Sequence, residues 1–148
     1  MTAFQSMRAD DRGHQVAGAA SPAPAAGTAG VAGAIDVSPL VGTWWSTDKA
    51  TGGVLKMELA ERAGGLVVHA YGACSPEPCD WGERPAIAYA AAVDSRDAMA
   101  FSARFDFGFL ETLLAAYMKG GILVLDTFNT FRDGSGRADY FTREFYHR

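Results

Sequence analysis

The feature that most constrains this chain is a period-two alternation of apolar and polar residues, cut by glycine-bearing breaks about every 10–15 residues. Successive side chains of a β-strand point to opposite faces, so this period is that of a strand with one face buried. Leu55, Met57 and Leu59 oppose Lys56 and Glu58, while Met99, Phe101, Ala103, Phe105 and Phe107 oppose Ser102, Arg104 and Asp106. From Ile122 to Phe131 apolar residues interleave with Asp126, Thr127, Asn129 and Thr130. Near the end, Phe141, Arg143 and Phe145 oppose Tyr140, Thr142, Glu144 and Tyr146. The breaks fall at 48–53, 61–65, 73–82, 94–97, 108, 119–121 and 132–136, and so bound eight segments. Lys119-Gly120-Gly121 and Asp133-Gly134-Ser135-Gly136 are hairpin turns, because glycine reaches positive φ without a steric cost. Segment 109–118 contains Leu-Glu-Thr-Leu-Leu-Ala-Ala, which has good helix propensity. Its tight flanking turns favour a strand over a short helix.

Eight consecutive short antiparallel strands form a meander, and a meander removes its exposed edges best by closing. The expected fold is therefore all-β, an eight-stranded antiparallel up-and-down barrel, with a two-sheet sandwich as the alternative. Such a barrel holds either a side-chain-filled core or a cavity for one small ligand. The barrel should begin near Val37. All three tryptophans, all five tyrosines and eight of the nine phenylalanines follow Asp36, and large rings supply the burial that offsets chain entropy. Residues 1–36 are rich in Ala, Gly, Ser, Thr and Pro and read as a disordered tail, which leaves 37–148 as the domain.

A formal charge of −4 without clustered basic residues argues against a nucleic-acid surface. No run of about 18 apolar residues is present to span a bilayer as a helix, and no membrane partner is expected. The Ala-rich stretch 17–34 resembles a secretory signal only superficially. Gly18, Pro22, Pro24, Gly27, Gly30 and Gly33 break it, and Asp10 and Asp11 precede it. The expected location is cytoplasmic, with secretion as the alternative.

Gly42-Thr43-Trp44, in the first segment, matches the G-x-W that opens the first strand of lipocalin and avidin barrels. The chain thus resembles a calycin-like barrel in strand count, strand order and this motif. The resemblance implies that Trp44 plugs the closed end and that a late-strand arginine packs across its ring, for which Arg143 is the matching residue. The late tryptophans that wall the biotin site of avidins are absent after Trp81, as are the long first loop and paired cysteines of typical lipocalins. Neither biotin nor retinoid binding is therefore implied. The stretch Cys74–Gly82 is also similar to a motif of small bacterial proteins, a likeness that implies no activity.

Within that barrel, Trp44, Ser46, His69, Tyr71, Phe105 and Arg143 are the expected lining of a cavity for a small apolar or aromatic ligand. His69, Tyr71, Asp126 and Arg143 are the groups a cofactor-free cyclase or isomerase could use there, with Arg143 as a partner for an inward Asp126. Oligomeric state is left open. Cys74 and Cys79 allow three states: a local disulfide, two packed thiols, or half of a zinc site completed by His69 and Asp80. No metal or other cofactor is expected. Pro76 and Pro78 stiffen the same loop, and an exposed Trp81 would make it a protein-interaction module.

Overall fold

A computed structural model describes residues 34–148. The tail expected over 1–36 lies, up to residue 33, outside the described residues. Eight strands follow in chain order: β1 (Gly42–Ser46), β2 (Val54–Arg62), β3 (Gly65–Gly72), β4 (Cys79–Ala90), β5 (Ala98–Asp106), β6 (Leu110–Lys119), β7 (Ile122–Phe131) and β8 (Tyr140–His147). Each pairs antiparallel with its neighbour, and β1 pairs with β8 through Trp45↔His147 and Ser46↔Tyr146, closing the barrel. The sandwich is excluded. The segment with helical propensity is strand β6, because pairing with β5 and β7 on both sides overrides propensity.

Two-residue hairpins join β2 to β3 and β6 to β7. Gly120 and Gly121 have φ of 59° and 81°, the geometry that matches the right-handed twist of the flanking strands. Ala63 and Gly64 do the same with φ of 51° and 79°, which puts a non-glycine residue in the left-handed region.

Most of the barrel is solid. Trp44, Tyr146, Phe101, Phe105, Met57, Leu114, Leu123, Leu125 and Val68 are fully buried on the inner face. Burying such a side chain contributes roughly 1.5–3 kcal/mol. The segment before β1 seals one end: Val37 and Leu40 are buried, and the Leu40 carbonyl accepts a 2.9 Å hydrogen bond from the Trp44 indole N–H. Asp36 ties this plug to the β4–β5 connection, accepting from the Ala98 amide (2.9 Å) and donating its own amide to the Arg96 carbonyl (2.7 Å).

The wall has one weak seam. β4 pairs with β5 only from Ile87 to Ala90, so Cys79–Ala86 and Ala103–Asp106 have no ladder between them. Pro85, which has no N–H to donate, stands in this unpaired stretch. There Trp81 packs edge-on against Phe105 and Phe107, with ring centroids 5.6 and 5.0 Å apart. Side-chain contact holds the seam where backbone pairing does not.

Two local departures from strict alternation re-aim side chains. A bulge between Val54 and Lys56 turns Val54 inward and Leu55 out to the barrel wall. Met99 is likewise outside, leaving Phe101, Ala103 and Phe105 as the buried part of its stripe.

Candidate functional site

The connections after β1, β3, β5 and β7 surround the end opposite the plug, and here the packing stops. A cavity of about 250 Å³ opens between them, lined by Thr112, Thr127, Asn129, Thr142 and Glu144 with Gly52, Gly53, Val54, Trp81, Leu110 and Tyr140. Three strands supply its polar floor. On β7 the inward face runs Leu123, Leu125, Thr127, Asn129; on β8 it runs Tyr146, Glu144, Thr142; on β6 it runs Ala116, Leu114, Thr112. In each strand the inner face turns from apolar or aromatic to polar above the core, and Leu110 on β6 and Tyr140 on β8 follow that polar belt at the rim.

These polar groups are knitted together. The Thr112 hydroxyl donates to Asn129 Oδ1 at 2.7 Å, Asn129 Nδ2 donates to Thr127 Oγ1 at 3.2 Å, and Thr127 and Thr142 share a hydroxyl–hydroxyl bond. Glu144 accepts from the Thr51 hydroxyl at 2.7 and 2.8 Å, with the Tyr146 hydroxyl 3.1 Å from Oε2. Tyr146 also donates to the Val54 carbonyl at 2.6 Å. Burial first, and then the Glu144 carboxylate, push the Tyr146 phenol above its ordinary range, so it stays a neutral donor. Among the described residues no buried side-chain N or O lacks a partner, so the floor is a preorganised network.

None of the six residues expected to line a cavity lines this one. Trp44, Ser46 and Phe105 do face inward, but Trp44 and Phe105 are core, and Ser46 Oγ caps the turn at Asp48 (3.1 Å). His69, Tyr71 and Arg143 face outward. On β3 the inward residues are Leu66, Val68, Ala70 and Gly72, which leaves His69 and Tyr71 on the outer wall. There the two rings stack at 4.5 Å, His69 Nε2 lies 2.6 Å from Asp80 Oδ1, and Lys56 Nζ stands 4.2 Å over Tyr71. The hydrogen bond from His69, with a further one from the Gly82 amide, holds the Asp80 carboxyl below the usual range.

Arg143 and Asp126 do pair as expected, at 2.6 and 2.8 Å, but outside the barrel rather than within it. The guanidinium holds the Asp126 carboxyl below its ordinary range. The arginine across Trp44 is instead Arg148, 4.3 Å over the ring, donating to the Pro39 and Val41 carbonyls at 3.1 and 3.0 Å. Arg148 follows Tyr146 by two, so period-two alternation puts both on the inner face; Arg143 belongs to the other face. The four groups expected to serve a cyclase therefore stand in two separate clusters on the outer wall, away from the cavity.

Cys74 and Cys79 are joined in a disulfide, which resolves their three expected states and removes both sulfurs from zinc ligation. Among the described residues no three His, Cys, Asp or Glu side chains converge as a metal site. Trp81 is not an exposed anchor. It packs inward over Gly72, where a Cβ would lie 2.5 Å from the indole Nε1.

The chain matches no family model, no curated protein and no solved structure.

Proposed function

We propose that this chain is a small-ligand-binding barrel whose site is its open end. One observation carries the reading: the inward faces of β6, β7 and β8 change from tightly packed apolar or aromatic side chains to hydroxyl, amide and carboxylate groups around a cavity of about 250 Å³. Stability alone favours apolar filling at inward positions, whereas converging polar groups beside an aromatic wall are the usual make-up of a ligand site. The volume lies a little under the roughly 300–1,000 Å³ of drug-sized sites and suits a small molecule. Trp81, Leu110 and Tyr140 would hold its apolar part.

Kinship in plan with calycin barrels is supported by Trp44 at the plugged end with Arg148 across its ring. The disulfide supports a life in an oxidising compartment, in favour of the secreted alternative. A cyclase or isomerase would find only Glu144 as a carboxylate in the cavity, so binding is the reading we keep.

Gly52 offers the test. Nothing lies within 4 Å of a Cβ built there, so Gly52→Trp should block the mouth without touching the core. In a thermal-shift screen of small molecules, hits should stabilise the native chain and lose that effect on Gly52→Trp. Either no hit at all or shifts that persist in the blocked variant would end this reading.

A further inference from the structure

The charge inside the cavity is one-sided. Glu144 is the one charged side chain among its lining residues; no Lys, Arg or His is among them, and none of the ion pairs among the described residues includes Glu144. Its carboxylate is held by neutral donors only, chiefly the Thr51 hydroxyl against both oxygens. The geometry is fixed from below as well: a Cβ on Gly53 would lie 3.1 Å from Glu144 Oε1, so the backbone presses close against the carboxylate. A partly enclosed carboxylate with hydroxyl partners alone keeps unused acceptor capacity and an uncompensated charge.

An aromatic wall shares the same cavity. Trp81 and Leu110 line it and also line an adjoining apolar surface with Phe107 and Phe109. Both arginines of the β7–β8 connection are paired elsewhere: Arg137 with Asp133 at 2.6 Å, stacked 4.1 Å over Phe131, and Arg132 with Glu111 at 2.8 Å and Asp106 at 3.6 Å, so neither competes for Glu144. A carboxylate without a cation, in a cavity also lined by an indole, is an arrangement that receives an ammonium group by ion pairing and its apolar body by contact with the ring.

We propose that the open-end cavity takes a small organic amine, with its ammonium on Glu144 and its apolar body along Trp81 toward Phe107 and Phe109. The proposal rests on the open end being a ligand site and specifies the ligand's charge. Three probes of similar shape separate the two claims in calorimetric titrations: 2-phenylethylamine, 2-phenylethanol and phenylacetate. The amine should bind the native chain at least about tenfold more tightly than the alcohol, and the acid most weakly. Glu144→Gln keeps an acceptor oxygen for Thr51 and should abolish the preference, so that amine and alcohol bind this variant with similar affinity. If the alcohol or the acid binds as well as the amine, or Glu144→Gln leaves the preference intact, the ligand site stands and the amine assignment falls. If none of the three binds at millimolar concentration, both fall. The comparison among probes on the native chain needs no variant to fold.

Discussion

Gly72→Ala offers the sharpest test of how the open end is built. Gly72 lies at the end of β3 opposite Cys79, and the indole of Trp81 rests on its bare Cα side. A Cβ there would meet Nε1 at 2.5 Å, Cε2 at 3.0 Å and Cζ2 at 3.3 Å, whereas ordinary contact begins at 3.4 Å. The indole must then retreat by 3.4 − 2.5, or 0.9 Å. The ring is also in contact with Phe105 and Phe107, whose centroids are 5.6 and 5.0 Å away, and these limit its movement. Overpacking of this kind costs about 1–3 kcal/mol. The backbone at Gly72 is not in the left-handed region, so alanine also restricts the unfolded chain and returns about 0.4–1 kcal/mol. The net loss should be roughly 1–2 kcal/mol, read as a lower urea midpoint by far-UV circular dichroism with an unchanged slope. In a Trp81→Ala background the clash is gone, and Gly72→Ala should become neutral or stabilising. The coupling between the two sites should exceed about 1 kcal/mol. Equal destabilisation in both backgrounds would show that Trp81 does not occupy the space over Gly72.

Three further outcomes are expected. Arg148→Ala should lower stability by about 1–2 kcal/mol, since it removes the cation over Trp44 and two carbonyl contacts, and lysine should rescue it poorly; Arg143→Ala, which breaks an exposed outer-wall pair and a contact with Phe141, should cost less, and thermal melts of the two variants check the order. Asp133 is held at a pKa of about 2, first by Ser135 and then by Arg137, against an ordinary 3.8. Its contribution is complete above the ordinary value and is lost as pH falls through about 2; a carboxyl NMR titration should find that midpoint, and a midpoint near 3.8 would contradict the loop geometry. Ala63→Gly should raise stability by about 0.5–1 kcal/mol, read as a higher urea midpoint, because a left-handed φ of 51° strains alanine. An unchanged or lower midpoint would argue against that turn.

Strand number, order and closure were legible because period two and glycine breaks are local signals. Direction was legible only where one face was clearly polar. β3 reads Leu-Val-Val-His-Ala-Tyr between its glycines, with apolar residues on both faces, so nothing local marks His69 and Tyr71 as outward. The inward choice is made across the sheet: Gly72 has no side chain because the Trp81 indole occupies that space. The bulge at Val54 and the outward turn at Met99 likewise depend on register with neighbouring strands. Arg148 escaped notice because it stands last in the chain, although its spacing from Tyr146 and Glu144 puts it on the inner face. The cavity itself had a readable sign. The sequence Leu123, Leu125, Thr127, Asn129 on one face already turns polar along the strand, and β8 repeats this with Tyr146, Glu144, Thr142. That gradient marks an open end, but only once three adjacent strands are aligned does it become a pocket.

The three tryptophans give the most direct measurement of the central claim, because they report on three different places: Trp44 at the plug, Trp45 on the outer wall, and Trp81 at the mouth. Their indole N–H resonances can be followed in one spectrum as 2-phenylethylamine is added. Movement of the Trp81 signal, with Trp44 and Trp45 still, is the outcome that fits a molecule entering the open end. A stationary Trp81, or a response confined to Trp45, would mean that the barrel's interior takes no guest.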